Sequence, residues 1–199
     1  MNLIERAKNM ILSPKTEWNT VASEEPNNNQ LIMGYLIPLT LIGAIAAFVG
    51  YGLIGVSVFG YKYVGMEWGI YHALVKLILG VLSVYITAFV LDALAPSFGS
   101  EKNMGRSLQL VVYGSTPSLV AAIFSIFPSI AGVISLIAAI YTIYVLYLGF
   151  GPVKKTPEDK KVIYMIVCIV VLIVVYFIIG AILGAILMPL FNLNYGLGL

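Results

Sequence analysis

His72 and Lys76 stand four residues apart, a spacing that puts an imidazole and an ammonium on one face of a helix. Both fall in an apolar stretch, where a buried charge marks a functional site by default. The bland alternative is also physical. Lys76 follows Trp68 by eight residues, roughly 12 Å along a helix, so its ammonium could snorkel back to the outer interface. Asp92 is the next ionisable group. It lies sixteen residues after Lys76, about 24 Å at helical rise, too far to pair with it inside one helix. Lys102 or Arg106 is its expected partner.

A second constellation is Tyr113-Gly114-Ser115-Thr116-Pro117. Pro117 lacks an N–H and leaves the carbonyl of Tyr113 without its helical donor. Ser115 and Thr116 could satisfy the freed group with hydroxyls. Broken helices at membrane depth line binding sites in transporters, and a packed kink is the plainer reading. Pro38 raises the same question earlier in the chain. Gly180 and Gly184, flanked by Ala181 and Ala185, form a small-xxx-small face suited to close helix approach, within the bundle or between copies.

Other chemistry has no sequence support. His72 is the only histidine and Cys168 the only cysteine, so neither a histidine-based metal site nor a disulfide framework is expected. HExxH, G-x-S-x-G and P-loop patterns are absent. We therefore expect no enzyme, no catalytic residue and no cofactor.

These residues need elements to hold them, and the charge distribution defines those elements. Hydrophobic residues make up 60% and charged residues 10% of the 199 residues, against about 45–50% and about 25% in soluble domains. No Asp, Glu, Lys or Arg falls between Glu25 and Lys62, between Arg106 and Lys154, or after Lys161. A spanning helix needs roughly 20 apolar residues. The gaps predict spans near 31–58, 70–94, 107–127, 129–150 and 162–188, with Pro128 splitting the longest gap into a hairpin. The fold class is then an all-α integral membrane protein with five transmembrane helices. No cleavable signal peptide is evident, because a polar leader of about thirty residues precedes the first apolar run.

That leader, 1–30, is expected on the cytoplasmic side. Leu3, Ala7, Met10 and Ile11 share a helical face, with Glu5, Arg6, Lys8 and Asn9 elsewhere, describing a short amphipathic interfacial helix. Ser13-Pro14 ends it and starts a second helix. Trp18 reads as a headgroup-level anchor. Nine of the eleven Lys and Arg residues lie in the leader and in the loops after the second and fourth spans. The positive-inside rule then places the N-terminus in the cytoplasm and the tail, 191–199, outside. Net charge is only +2, so nucleic acid is not an expected partner. The lipid bilayer is, with room for a membrane or cytoplasmic protein and for a homo-oligomer.

Several stretches resemble the Yip family. They are Leu91-Asp92-Ala93-Leu94-Ala95-Pro96-Ser97-Phe98-Gly99, Val111-Val112-Tyr113-Gly114-Ser115-Thr116-Pro117, Ile126-Phe127-Pro128, Ile140-Tyr141-Thr142-Ile143-Tyr144 and Leu148-Gly149. The leader Pro14-Lys15-Thr16-Glu17-Trp18 and the loop Pro152-Val153-Lys154-Lys155-Thr156-Pro157-Glu158-Asp159-Lys160 are similar to the family's prokaryotic branch. The resemblance implies a five-span bundle with a cytoplasmic N-terminus. Eukaryotic members are adaptors of the early secretory pathway that meet Rab-type GTPases. The Asp-Leu-Tyr-Gly-Pro type signature of those members is missing here, so that role is not carried over. Two readings stand. One is a non-enzymatic scaffold or adaptor of a bacterial inner membrane, with the basic 154–161 loop touching anionic headgroups. The other is a small channel or transporter using Pro117 and the His72/Lys76 face.

Overall fold

The computed structural model describes residues 2–58 and 61–193. Two short helices, α1 (Leu3–Leu12) and α2 (Pro14–Ser23), lead into the bundle. Asn2 caps α1 by accepting from the Ile4 N–H at 3.1 Å and the Glu5 N–H at 3.4 Å, and Pro14 opens α2 at a position where its missing N–H costs nothing.

Among the described residues, four helices are long and apolar enough to cross a membrane: Asn28–Ile54, Met66–Phe98, Pro128–Lys154 and Glu158–Leu190. A bent pair, Met104–Gly114 and Thr116–Ile126, meets at 42° and brings the count to five when taken as one span. The first crossing comprises α3 (Asn28–Leu31), a π turn at Ile32–Leu36, α4 (Ile37–Val49) and a second π turn at Gly50–Ile54. The first π turn sits beside Pro38. Ile37 N–H reaches back to the Ile32 carbonyl, and the widened turn makes room for a ring that would clash in a regular α-helix. A two-stranded hairpin, β1 (Val56–Val58) with β2 (Tyr61–Tyr63), uses the surplus at the end of this crossing.

The remaining helices are α5 (Met66–Leu94), α6 (Met104–Gly114), α7 (Thr116–Ala121), α8 (Pro128–Lys154) and α9 (Glu158–Leu190). Pro128 occupies the first turn of α8. Pro189 lies in the last turn of α9 rather than beyond it, where it removes one bond from a ladder that is already ending. The α8–α9 turn closes with Lys155 in the left-handed region, φ 51°, its N–H returning to the Gly151 carbonyl.

Helix α5 is central and touches α4, α6 and α9, while α8 packs on α2, α6, α7 and α9. The larger core cluster gathers Met10, Trp18, Tyr35, Leu91, Leu108, Phe150 and Tyr164, and so includes leader residues. A smaller cluster joins Tyr71 of α5 to Val175, Ile179, Leu183 and Leu187 of α9. Leu193 also packs there, at the end that carries Trp68. Of the tail, residues 194–199 lie outside the described residues.

The leader corrects two sequence expectations. Trp18 is not a headgroup anchor, because it is fully buried and its indole N–H donates to the Val145 carbonyl at 2.8 Å. Arg6 does not lie off the apolar face. It is 5% exposed and turned inward with Ala7 and Met10, three residues after Leu3 and four before Met10, a spacing that places it on their face.

Candidate functional site at the charged end

Among the described residues, three ionic assemblies join separate segments at the charged end, beside the local Lys161–Glu158 pair. The first joins helices remote in sequence. Lys154, at the end of α8, places Nζ 3.2 Å from Asp92 Oδ1 of α5 and donates to Ser107 Oγ of α6 at 2.7 Å. Ser107 in turn donates to Asp92 at 2.9 Å, and the Asn103 backbone N–H adds a bond of 2.7 Å. Asp92 therefore meets neither Lys102 nor Arg106 as partner. The α8 terminus carries Lys154 inward over the 99–103 loop, where its carbonyl accepts from the Glu101 N–H at 2.9 Å. Lys154 is fully enclosed, so it is also removed from the lysines available to headgroups.

The second assembly docks the leader. Arg6 bonds Glu17 Oε1 at 2.6 Å and also Glu24, and its guanidinium lies 5.2 Å from the Tyr113 ring centroid. Arg106 donates to the Val21 and Glu24 carbonyls at 3.2 and 2.8 Å, a cation placed at the negative end of α2. Tyr141 OH donates to the Ile11 carbonyl at 2.7 Å. The third is at the surface. Lys155 pairs with Glu101 at 2.8 Å and holds that carboxyl below the usual carboxylate range by hydrogen bonding.

The Pro117 break is closed by its own hydroxyls. Thr116 Oγ1 donates to the Tyr113 carbonyl at 2.6 Å and lies 2.7 Å from Tyr35 OH. Tyr35 meets the Tyr113 ring edge to face at 4.9 Å. Ser115 caps the junction between α6 and α7, its N–H returning to the Val111 carbonyl. Thr116 and Tyr35, not Ser115, thus perform the repair.

His72 and Lys76 do share a face, at the opposite end of the bundle. The imidazole stacks on Tyr51 with centroids 3.6 Å apart, and Lys76 donates to the buried Ser125 Oγ in the turn before α8. The ammonium points into the bundle. Among the described residues, Gly180 and Gly184 make no tight helix crossing. A Cβ at Gly180 would meet nothing within 4 Å, and one at Gly184 only Tyr71 OH at 3.9 Å.

Arg6, Glu17, Glu24, Ser107, Lys154 and Tyr35 are the residues that sequence reasoning missed. Arg6 left a signal in its helical phase. Lys154 left a weaker one, since it is the first charge met after a long neutral span and directly follows that span's last apolar residue.

Two clefts open at this end. One, of about 220 Å3, is lined by Glu24, Glu25, Gln30, Gln109 and Tyr113. The other, of about 540 Å3, lies between the first turn of α2 and the α8–α9 turn, with Lys15, Lys155 and Lys161 on its walls.

This geometry defines a polytopic helical membrane protein whose N-terminal helices are locked into one charged end of the bundle. A family model for the Yip1 domain matches residues 8–182, from within α1 to within α9, and the chain belongs to that family. No curated protein and no solved structure matches it.

Proposed function

We propose that this protein is a non-enzymatic scaffold or adaptor that organises membrane or recruits a protein partner through its charged end. The carrying observation is the docked leader. Arg6, Arg106, Trp18 and Tyr141 bind α1 and α2 to α6 and α8 as one built surface, a suitable base for recognising a partner. The break at Pro117 is internally satisfied, with Thr116 fully buried and Tyr113 4% exposed, which argues against its use as a solute path. We place the charged end in the cytoplasm of a cell bounded by this membrane, on the Lys and Arg asymmetry, and the Lys62 hairpin outside. A bacterial inner membrane is the setting we favour.

Two experiments test this reading. Crosslinking in cells through Lys8, Lys102 or Lys160 should trap a stable partner. Purified protein in liposomes should give no solute or proton flux above that of empty liposomes, and a flux abolished by Lys76→Ala or Pro117→Ala would defeat the proposal. For orientation, Asn19→Cys should label only from the cytoplasmic side and Lys62→Cys only from outside.

A further inference from the structure

The larger cleft has features of a ligand site. Three chain segments each supply an ammonium to its walls: Lys15 from α2, Lys155 from the turn and Lys161 from the first turns of α9. Glu158 is the single carboxylate among the lining residues, so the walls are net positive. One wall is apolar. Leu148, Gly151 and Pro152 also line the cleft, spaced three and four apart on α8 and so stacked along one face of the crossing helix. A cavity that is cationic at its rim and apolar along a spanning helix straddles the boundary between water and hydrocarbon.

The Lys155 ammonium is held loosely enough to change partners, and Lys161 is held by a carboxylate that reaches into solvent. The side chain of Lys155 is 76% exposed and its Glu101 pair lies at the surface. Lys161 Nζ pairs with Glu158 at 2.6 Å; the Lys161 side chain is enclosed, 11% exposed, while that of Glu158 is 80% exposed. The surface pair Lys155–Glu101 contributes little, and the exposed Glu158 is free to turn to solvent, so a phosphodiester entering the cleft could take both cations. A soluble anion would have no use for the Leu148 wall, whereas the acyl chains of a lipid would lie along it.

We propose that this cleft binds the headgroup of an anionic phospholipid, the phosphate held by Lys15, Lys155 and Lys161 and the acyl chains descending along α8. The proposal rests on the reading above that this end lies at a membrane surface. Basic pockets between spanning helices at that depth are the usual form of anionic headgroup sites.

The test uses the full chain in detergent, titrated with phosphatidylglycerol or phosphatidylcholine and read by the thermal-unfolding midpoint and by mass spectrometry of the intact complex. Phosphatidylglycerol should bind and raise the midpoint, and phosphatidylcholine should do neither. Lys15→Gln with Lys155→Gln should weaken phosphatidylglycerol binding about tenfold or more. Both side chains are outside the core, so the lipid-free midpoint should hold, and Lys62→Gln should leave binding intact. Equal binding of the two lipids, or unchanged affinity in the double variant, would overturn the proposal. So would inorganic phosphate producing the same shift and displacing the lipid, since the site would then take free anions. Partner crosslinking is scored separately. Lipid preference without a partner upholds the site, and a partner without lipid preference overturns it.

Discussion

Lys154 Nζ lies 3.2 Å from Asp92 Oδ1, the lysine side chain fully enclosed and the aspartate side chain 12% exposed. The pair joins the ends of α5 and α8, and Ser107 of α6 bonds to both members. Removing one member strands a buried charge, which typically costs about 3–5 kcal/mol. Lys154→Met and Asp92→Asn should each lower the denaturation midpoint sharply. The double variant should recover much of the loss, because no uncompensated charge remains. Additive losses in that double-mutant cycle would show that the two residues act independently.

Arg6 holds the leader by a similar logic. Arg6→Ala leaves Glu17, whose side chain is 10% exposed, facing the core without its cation. Undocking of the leader is the expected outcome, read as faster trypsin cleavage at Lys8 and Lys15. Glu5→Gln, on the exposed side of α1, should leave the cleavage rate unchanged.

Trp18 fits because position 149 has no side chain. A Cβ on Gly149 would lie 2.7 Å from Trp18 Cε2 and 2.5 Å from Leu110 Cδ1. Gly149→Ala should therefore cost about 1–3 kcal/mol by overpacking. Trp18→Ala should cost about 3–5 kcal/mol by leaving a void. Tryptophan fluorescence of the parent should be blue-shifted at one of its two sites, and that component should be lost in Trp18→Ala.

The crossings were legible because long neutral runs have few other uses. The bend at Pro117 was legible too, and so was Thr116 as part of its repair, whereas Tyr35 came from another helix. The ionic joint was less so. Charge counting assigns Lys154 to a loop, but a helix end can turn a lysine inward, and only tertiary packing decides which way. Asp92 was singled out by its position at a span end, while its partner lay 62 residues away, beyond any local rule. Arg6 was recoverable from helical phase alone, had its charge not outweighed its position. Several stretches that carry the family resemblance converge on the charged end: Asp92 and Lys154 form the ionic joint, while Tyr113, Tyr141, Gly149 and Trp18 surround the docked leader. Their order along the chain was visible, but their convergence required the fold.

Glu101 supplies a pH test. Its carboxyl is held below the usual range by the hydrogen bond from Lys155. A carboxyl depressed in the folded state stabilises it above the unfolded pKa, and that contribution fades as pH falls through the folded value. The loss should begin below about pH 4.5. It should be small, because the pair is at the surface. Glu101→Gln should flatten this part of the acid limb of the midpoint-versus-pH curve while leaving the neutral midpoint nearly unchanged.

The glycine face of α9 makes the opposite prediction to Gly149. Nothing lies within 4 Å of a Cβ built at Gly180, while the buried face of α9 is formed by Val175, Ile179, Leu183 and Leu187. Among the described residues, Gly180 serves neither a tight crossing nor a turn. Gly180→Ile should change the unfolding free energy by no more than about 0.5 kcal/mol, as for a substitution away from any packed contact. A larger loss would mean that the face is covered in the folded protein. Sedimentation in detergent then separates the causes: association between copies through this face weakens in Gly180→Ile, whereas a contact inside the chain leaves the sedimenting mass unchanged.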